Sequence, residues 1–153
     1  MKLAVPRLAA VFAVVIALVS VPATGATLEQ TYSQDTIKIE KAGPFDRDKQ
    51  VVINTGEKVT FEIKVFEDEF FGDPIINANA KITNNMKQKV RGVYAIAFFD
   101  KDDKLIGCHQ GSWQMEPGED INYGSGIIRC DSESIAKVTS YKLRTFVLEA
   151  GEE

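Results

Sequence analysis

The chain has 153 residues, of which 26% are charged and 44% hydrophobic, and its formal net charge is −4. This length suits a single domain with a sizeable core. An acidic chain without a run of Lys and Arg is a poor candidate for binding nucleic acid or an anionic membrane, because both are bound mainly through cations.

The first 26 residues are predicted to be a secretory signal peptide. Lys2 and Arg7 precede an apolar run over residues 8–19, and a string of small residues ending at Ala26 marks the expected cleavage site. The run is shorter than the roughly 20 residues that span a bilayer, so we expect no membrane insertion of the mature chain. Removing the peptide leaves 16 basic and 22 acidic residues, a net charge of −6. The predicted location is the periplasm or the extracellular space.

Alternation of apolar and polar residues dominates the mature chain and predicts β-strands. Residues 27–49 are expected to form a loose edge strand or a tail, with one strand candidate inside them at 36–40. A doubly apolar stretch at 92–100 is typical of a central strand covered on both faces. A helical turn is predicted at 131–137, where an early Glu follows an Asp or Ser cap. The other predicted strands cover residues 50–54, 58–67, 76–83, 104–115, 120–129 and 138–148.

Polar turns, some of them with Pro or Gly, separate these strands at intervals near ten residues. The pattern predicts a single all-β domain over residues 27–153, an immunoglobulin-like antiparallel β-sandwich of about 7–8 strands.

Cys108 and Cys130 are the only two cysteines in the sequence. In an exported chain two cysteines are expected to form a disulfide, which would close the loop between them. A redox-active pair is the alternative, but such pairs usually sit close together as Cys-x-x-Cys. The sequence therefore predicts a structural disulfide between Cys108 and Cys130.

The order of elements over residues 80–148 is also characteristic. An Asn-rich turn at 83–85 leads into an apolar strand that ends at Asp100, and a Pro-Gly-Glu turn follows at 117–119. This order resembles the FxLYD-type domains, small immunoglobulin-like modules of exported bacterial proteins. Asp100 matches the Asp of the family motif, whereas Asp103 stands where such domains usually have Gly. The resemblance implies the fold and no shared activity, so it implies no functional residue.

No residue pattern in the sequence nominates a catalytic, cofactor or metal site. His109 follows Cys108 directly, and neighbouring side chains in a strand point to opposite faces, which argues against a Cys–His nucleophile pair. Two acidic groups have oxygen ligands that Ca²⁺ accepts, although solvated acids at turns explain both. These groups are Asp100, Asp102 and Asp103, and Glu67, Asp68, Glu69 and Asp73. We expect no cofactor and no bound metal.

The segment 66–74 interleaves three Phe with four acidic residues and ends in Gly and Pro. It is predicted to be the longest irregular connection in the sandwich. Phe70 and Phe71 either fold back as a lid on the core or form an apolar contact rimmed by charge, the composition of a protein-binding patch.

These observations predict an exported, non-catalytic binding or structural module that contacts another exported or envelope protein, with Phe70 and Phe71 as the expected contact. The alternative is a hydrolase or metal-dependent enzyme that uses scattered acidic residues brought together by the fold.

Overall fold

The computed structural model describes residues 26–151, apart from the side chains of residues 123–125. The predicted signal peptide, except for Ala26, lies outside the described residues. Eight strands and one short helix form the domain, together with a 3₁₀ turn at Arg47–Lys49. The strands are β1 (Thr27–Thr36), β2 (Val51–Thr55), β3 (Val59–Phe70), β4 (Asp73–Asn84), β5 (Val90–Phe99), β6 (Leu105–Met115), β7 (Asp120–Arg129) and β8 (Ser140–Glu149), and the helix is α1 (Ser132–Ala136).

The strands form two four-stranded antiparallel sheets. Sheet I has the order β1-β8-β5-β6, and sheet II has the order β2-β3-β4-β7. The predicted antiparallel β-sandwich with one short helical turn is confirmed. Strand β5 is central, as its doubly apolar sequence predicted, because it pairs with β6 on one side and with β8 on the other.

The core lies between the sheets and is built from alternate residues of each strand. On β4 the inward positions are Ile76, Ala78, Ala80 and Ile82, the apolar set of the predicted alternation. The rings of Tyr94 and Trp113 from sheet I pack against Phe61 of sheet II, with centroid separations of 6.2 and 5.8 Å. Burial of each such side chain stabilises the fold by about 1.5–3 kcal/mol, so this cluster joins the two sheets.

Residues 27–49 contain the expected edge strand, but the strand candidate inside them does not form. Residues 27–36 form the edge strand β1, paired with β8 along its length, and the strand predicted at 36–40 is wrong. Ile37 and Ile39 are buried because the chain there crosses between the sheets. The backbone of this crossing segment forms hydrogen bonds with Thr139 where it leaves sheet I and with Glu67 where it reaches sheet II. Alternate burial in a crossing segment produces the same sequence pattern as a strand.

The connection between β3 and β4 is also unlike the prediction. The two strands pair without interruption from Val59↔Asn84 to Phe70↔Asp73, so the segment predicted to be irregular is a continuous hairpin. Its turn has only two residues, Phe71 and Gly72, with φ of 52° and 84°. Two successive positive φ values define a type I′ turn, whose twist suits a β-hairpin.

The helix α1 confirms the predicted helical turn. Its N-cap Asp131 accepts a hydrogen bond from the Ser134 backbone N–H at 2.8 Å, and Ile135 packs into the core. Such a cap stabilises a short helix by about 1 kcal/mol.

At one end of the sandwich, which we call the crossing end, the chain passes between the sheets at residues 85–89 and again at 116–119. Asn84, with 0% exposure, ties both passages together. Its Nδ2 donates to Gln88 O at 3.0 Å and to Glu116 O at 2.9 Å, and its Oδ1 accepts from Met86 N at 3.0 Å. Every polar atom of this buried side chain is therefore paired.

The N84A variant should lose about 3 kcal/mol of unfolding free energy, because two carbonyls and one N–H would be left without their partners. N85A is the matched control, since the exposed Asn85 makes one side-chain bond, to Glu57 O at 2.9 Å. It should lose about 1 kcal/mol or less. Urea unfolding followed by circular dichroism measures both, and equal losses would contradict the assigned role of Asn84.

Candidate functional site

The segment that the sequence singled out lies at the hairpin tip, which we define as residues 70–73. Phe66 has 0% exposure and is a buried side chain of β3. Phe71 is 92% exposed, while Phe70 is partly buried. The two rings meet edge to face with centroids 4.6 Å apart. Of the three Phe side chains, Phe71 alone is presented to solvent almost completely.

The backbone at Phe71 is strained. A φ of 52° places an aromatic residue in the left-handed region, which costs roughly 1–2 kcal/mol for a residue with a Cβ. Asn-Gly is the sequence that a type I′ turn favours at these two positions. The chain therefore holds a large exposed aromatic ring where Asn would fold better.

Charged side chains surround the hairpin tip. The Arg129 guanidinium lies 5.8 Å from the ring centroid of Phe70. Glu69 pairs with Lys41 across the surface, and the hydrogen bond from the Lys41 ammonium, with its charge, lowers the pKa of the Glu69 carboxyl. Asp73 is exposed on the other side of the turn. An apolar ring within such a polar border has the composition of a protein contact.

The predicted disulfide is wrong, because Cys108 and Cys130 are unpaired. The neighbours of Cys108 face β7: a Cβ at Gly107 would lie 2.5 Å from Ile128 Cγ2, and His109 packs against Gly126. Neighbouring residues alternate sides on a strand, so Cys108 points away from β7 into solvent. Cys130, just after β7, packs against the core instead.

His109 lies where the edge strands β6 and β7 of the two sheets meet. A Cβ at Gly126 would lie 2.6 Å from His109 Cδ2, so the glycine makes room for the ring. Its Nε2 is 3.2 Å from the hydroxyl of Tyr94. Burial lowers the pKa of this histidine. His109 and Cys108 point to opposite faces, as the sequence predicted.

In the first of the two acidic groups, backbone N–H groups already donate hydrogen bonds to the carboxylate of Asp100. Asp100 Oδ1 accepts from the backbone N–H groups of Lys104 and Asp102, each at 2.9 Å. The Lys104 hydrogen bond is the main reason why the pKa of the Asp100 carboxyl is lowered. Within residues 26–151 no three His, Cys, Asp or Glu side chains come together as a metal-binding group.

Sequence reasoning missed the outward face of sheet I, which we call the basic face. It carries Arg91, Lys142 and Arg144, but no Asp or Glu at any of its outward strand positions. Most of the other side chains are small, amide-bearing or apolar. The outward residues are Thr27, Gln30, Tyr32, Gln34, Thr36, Arg91, Val93, Ala95, Ala97, Phe99, Leu105, Cys108, Gln110, Ser112, Gln114, Ser140, Lys142, Arg144, Phe146 and Leu148.

The outward face of sheet II is different, because its charges are mixed. Lys64 pairs with Glu62 at 3.3 Å, and Lys81 pairs with Asp120 at 3.7 Å. The sequence signal for the basic face was present in β8, where cations occupy alternate positions 142 and 144, but Arg91 joins them only through strand pairing.

No protein-family model matches the chain, and no curated protein matches it. The resemblance to FxLYD-type domains therefore stays a prediction. No helix among residues 26–151 has the length and apolar character needed to cross a membrane.

The unpaired cysteines lead to a direct prediction. The denatured protein should show two reactive thiols per chain. In the native protein Cys108 should react first, because it is exposed. Burial raises the pKa of the Cys130 thiol, which lowers its thiolate fraction and slows its reaction. Time-resolved labelling with a thiol reagent measures both phases. The C108S variant should retain only the slow phase. If the denatured chain showed no reactive thiols, the two cysteines would be paired and this prediction would be wrong.

His109 should make stability depend on pH below neutrality. Its folded-state pKa is lowered, so the unfolded chain takes up the proton first as pH falls. The stabilisation is complete above the ordinary pKa of about 6.5 and is lost as pH falls through the folded-state pKa. Because the sequence has only one histidine, the H109Q variant lacks this contribution to the pH dependence. Its unfolding free energy should therefore change less between about pH 7 and pH 5 than that of the wild type. Y94F should keep the slope, and an unchanged slope in H109Q would contradict this assignment.

Proposed function

We propose that this protein is a non-catalytic binding module, exported from the cell, that contacts another exported or envelope protein through the hairpin tip. The observation that carries the proposal is Phe71, a large aromatic residue that is both 92% exposed and held at positive φ. A side chain kept at a position where it costs stability is a reason to infer a functional role there.

The position of the ring supports this function. The tip ends the longest hairpin of the fold, whose strands of 12 residues pair along their whole length. The paired strands give the turn a fixed geometry, so little conformational freedom is lost when a partner binds. The edge-to-face contact with Phe70 orients the Phe71 ring further.

The charged border supplies the rest of a protein contact. Arg129, Glu69 and Asp73 lie around the two rings, and interfaces commonly place an aromatic residue at the centre of a polar rim. Truncation of such a central residue typically weakens binding by 2 kcal/mol or more, about thirtyfold in affinity.

The F71N variant separates binding from folding. Asn tolerates positive φ and favours the type I′ turn, which relieves about 1 kcal/mol of strain. Loss of the contact with Phe70 offsets about 0.5 kcal/mol of that gain. We therefore expect F71N to be at least as stable as the wild type while it loses capture of the partner from a native envelope extract.

V52N is the matched control, because Val52 is also an exposed apolar residue of sheet II, with 47% exposure. It pairs with Lys64, six residues from Phe70, about 20 Å along β3. Capture by V52N should equal that of the wild type. Capture of the same partner by F71N with undiminished affinity would refute the contact.

A further inference from the structure

We propose that the basic face is a second binding surface, which takes an acidic polysaccharide. The inference is independent of the hairpin tip, because it rests on a different sheet and on different chemistry.

The distribution of charge is the first observation. The mature chain has 22 acidic and 16 basic residues, yet the outward positions of sheet I hold three cations and no carboxylate. Acidic residues of sheet I and its turns lie near the strand ends, among them Asp35, Asp100 and Glu149. An acidic protein repels polyanions in general, so a face without carboxylates is where an anionic chain can approach.

The register places the cations in a line along the sheet. Lys142 and Arg144 are two residues apart on β8, about 7 Å. Arg91 on β5 pairs with Leu148, four residues beyond Arg144 and therefore about 13 Å further on. Small side chains, Ala95 and Ala97, lie beside the two β8 cations in register. The line suits an extended chain with repeated negative charges rather than a single small anion.

Lys142 gives the second, independent observation. It is only 8% exposed, and its ammonium lies 4.8 Å from the ring centroid of Phe99. None of the salt bridges among the described residues involves Lys142. The low exposure of the residue and its ring contact show that this cation is packed on the basic face rather than extended into solvent.

The uncharged side chains decide between a polysaccharide and an acidic protein segment. Exposed amides lie on both edge strands, each able to donate and accept hydrogen bonds, as sugar hydroxyls require. They are Gln30, Gln34, Gln110 and Gln114. Tyr32 is the one large apolar or aromatic residue of this face that is exposed, and Arg144 already lies over its ring at 5.2 Å. Protein contacts are usually centred on several buried aromatic or aliphatic residues, so the face fits a hydroxyl-rich polyanion better.

The experiment measures binding of the protein to polygalacturonate, with dextran as the neutral polymer and poly-L-glutamate as the anionic peptide. We expect binding to polygalacturonate at low ionic strength, weakened at least tenfold between about 20 and 200 mM salt as the charges are screened. The K142Q/R144Q variant should weaken binding at least tenfold. K64Q/K81Q removes the same charge from sheet II and should change binding less than twofold.

A second pair of variants avoids the packed cations. Q110E/Q114E adds two carboxylates at exposed positions of the basic face and should also weaken binding at least tenfold. N54D/N122D adds the same charge to exposed positions of sheet II and should leave binding within twofold. Absence of binding to polygalacturonate, equal binding to dextran, equal or tighter binding to poly-L-glutamate, or equal loss in variants of the two sheets would each overturn the proposal.

Discussion

The hydrogen bonds of Asn84 fix the crossing end, and the relative placement of the two sheets depends on it. Two of the connections that carry the chain between the sheets meet at this buried amide, and its donors and acceptor satisfy one backbone group on each of three residues. Glu29 adds to the same end from β1, because its carboxylate accepts from the backbone N–H groups of Glu57 and Val59 at 2.9 and 3.2 Å. Polar side chains thus hold the end of a sandwich whose middle is held by apolar packing.

The β3–β4 hairpin combines strands that stabilise the fold with a turn residue that is exposed at a cost in stability. Its strands follow the rules for a stable sheet, with inward Phe61, Ile63 and Val65 all buried. Only its turn departs from those rules, since Phe71 occupies a position that favours Asn. The one strained residue of this hairpin is therefore also the residue that a partner can reach most easily.

The two proposed surfaces belong to different sheets and differ in chemistry. The hairpin tip presents aromatic rings with mixed charges around them, whereas the basic face presents three cations and four exposed amides. A domain with both surfaces could hold a protein and an acidic polysaccharide at the same time.

Much of the fold was predictable from the sequence because alternation of apolar residues reports directly on burial. The core positions of β3 and β4, the central place of β5 and the capped turn α1 all follow from local patterns. Strand β1 was not predictable in this way, because its residues are largely polar and its pairing with β8 orders it. The strand predicted at residues 36–40 was wrong for the converse reason, since residues 37 and 39 are buried without belonging to a strand.

The candidate sites also differ in whether local sequence or tertiary structure reveals them. The sequence by itself singled out Phe70 and Phe71, because adjacent aromatics among acids and turn residues are a local feature. Tertiary structure alone decided that Phe71 is exposed, that Cys108 and Cys130 point in different directions, and that Arg91 lies on one face with Lys142 and Arg144. The physical reason is that strand pairing brings together residues about 50 positions apart, and the direction of a side chain depends on which face of the strand its neighbours bury.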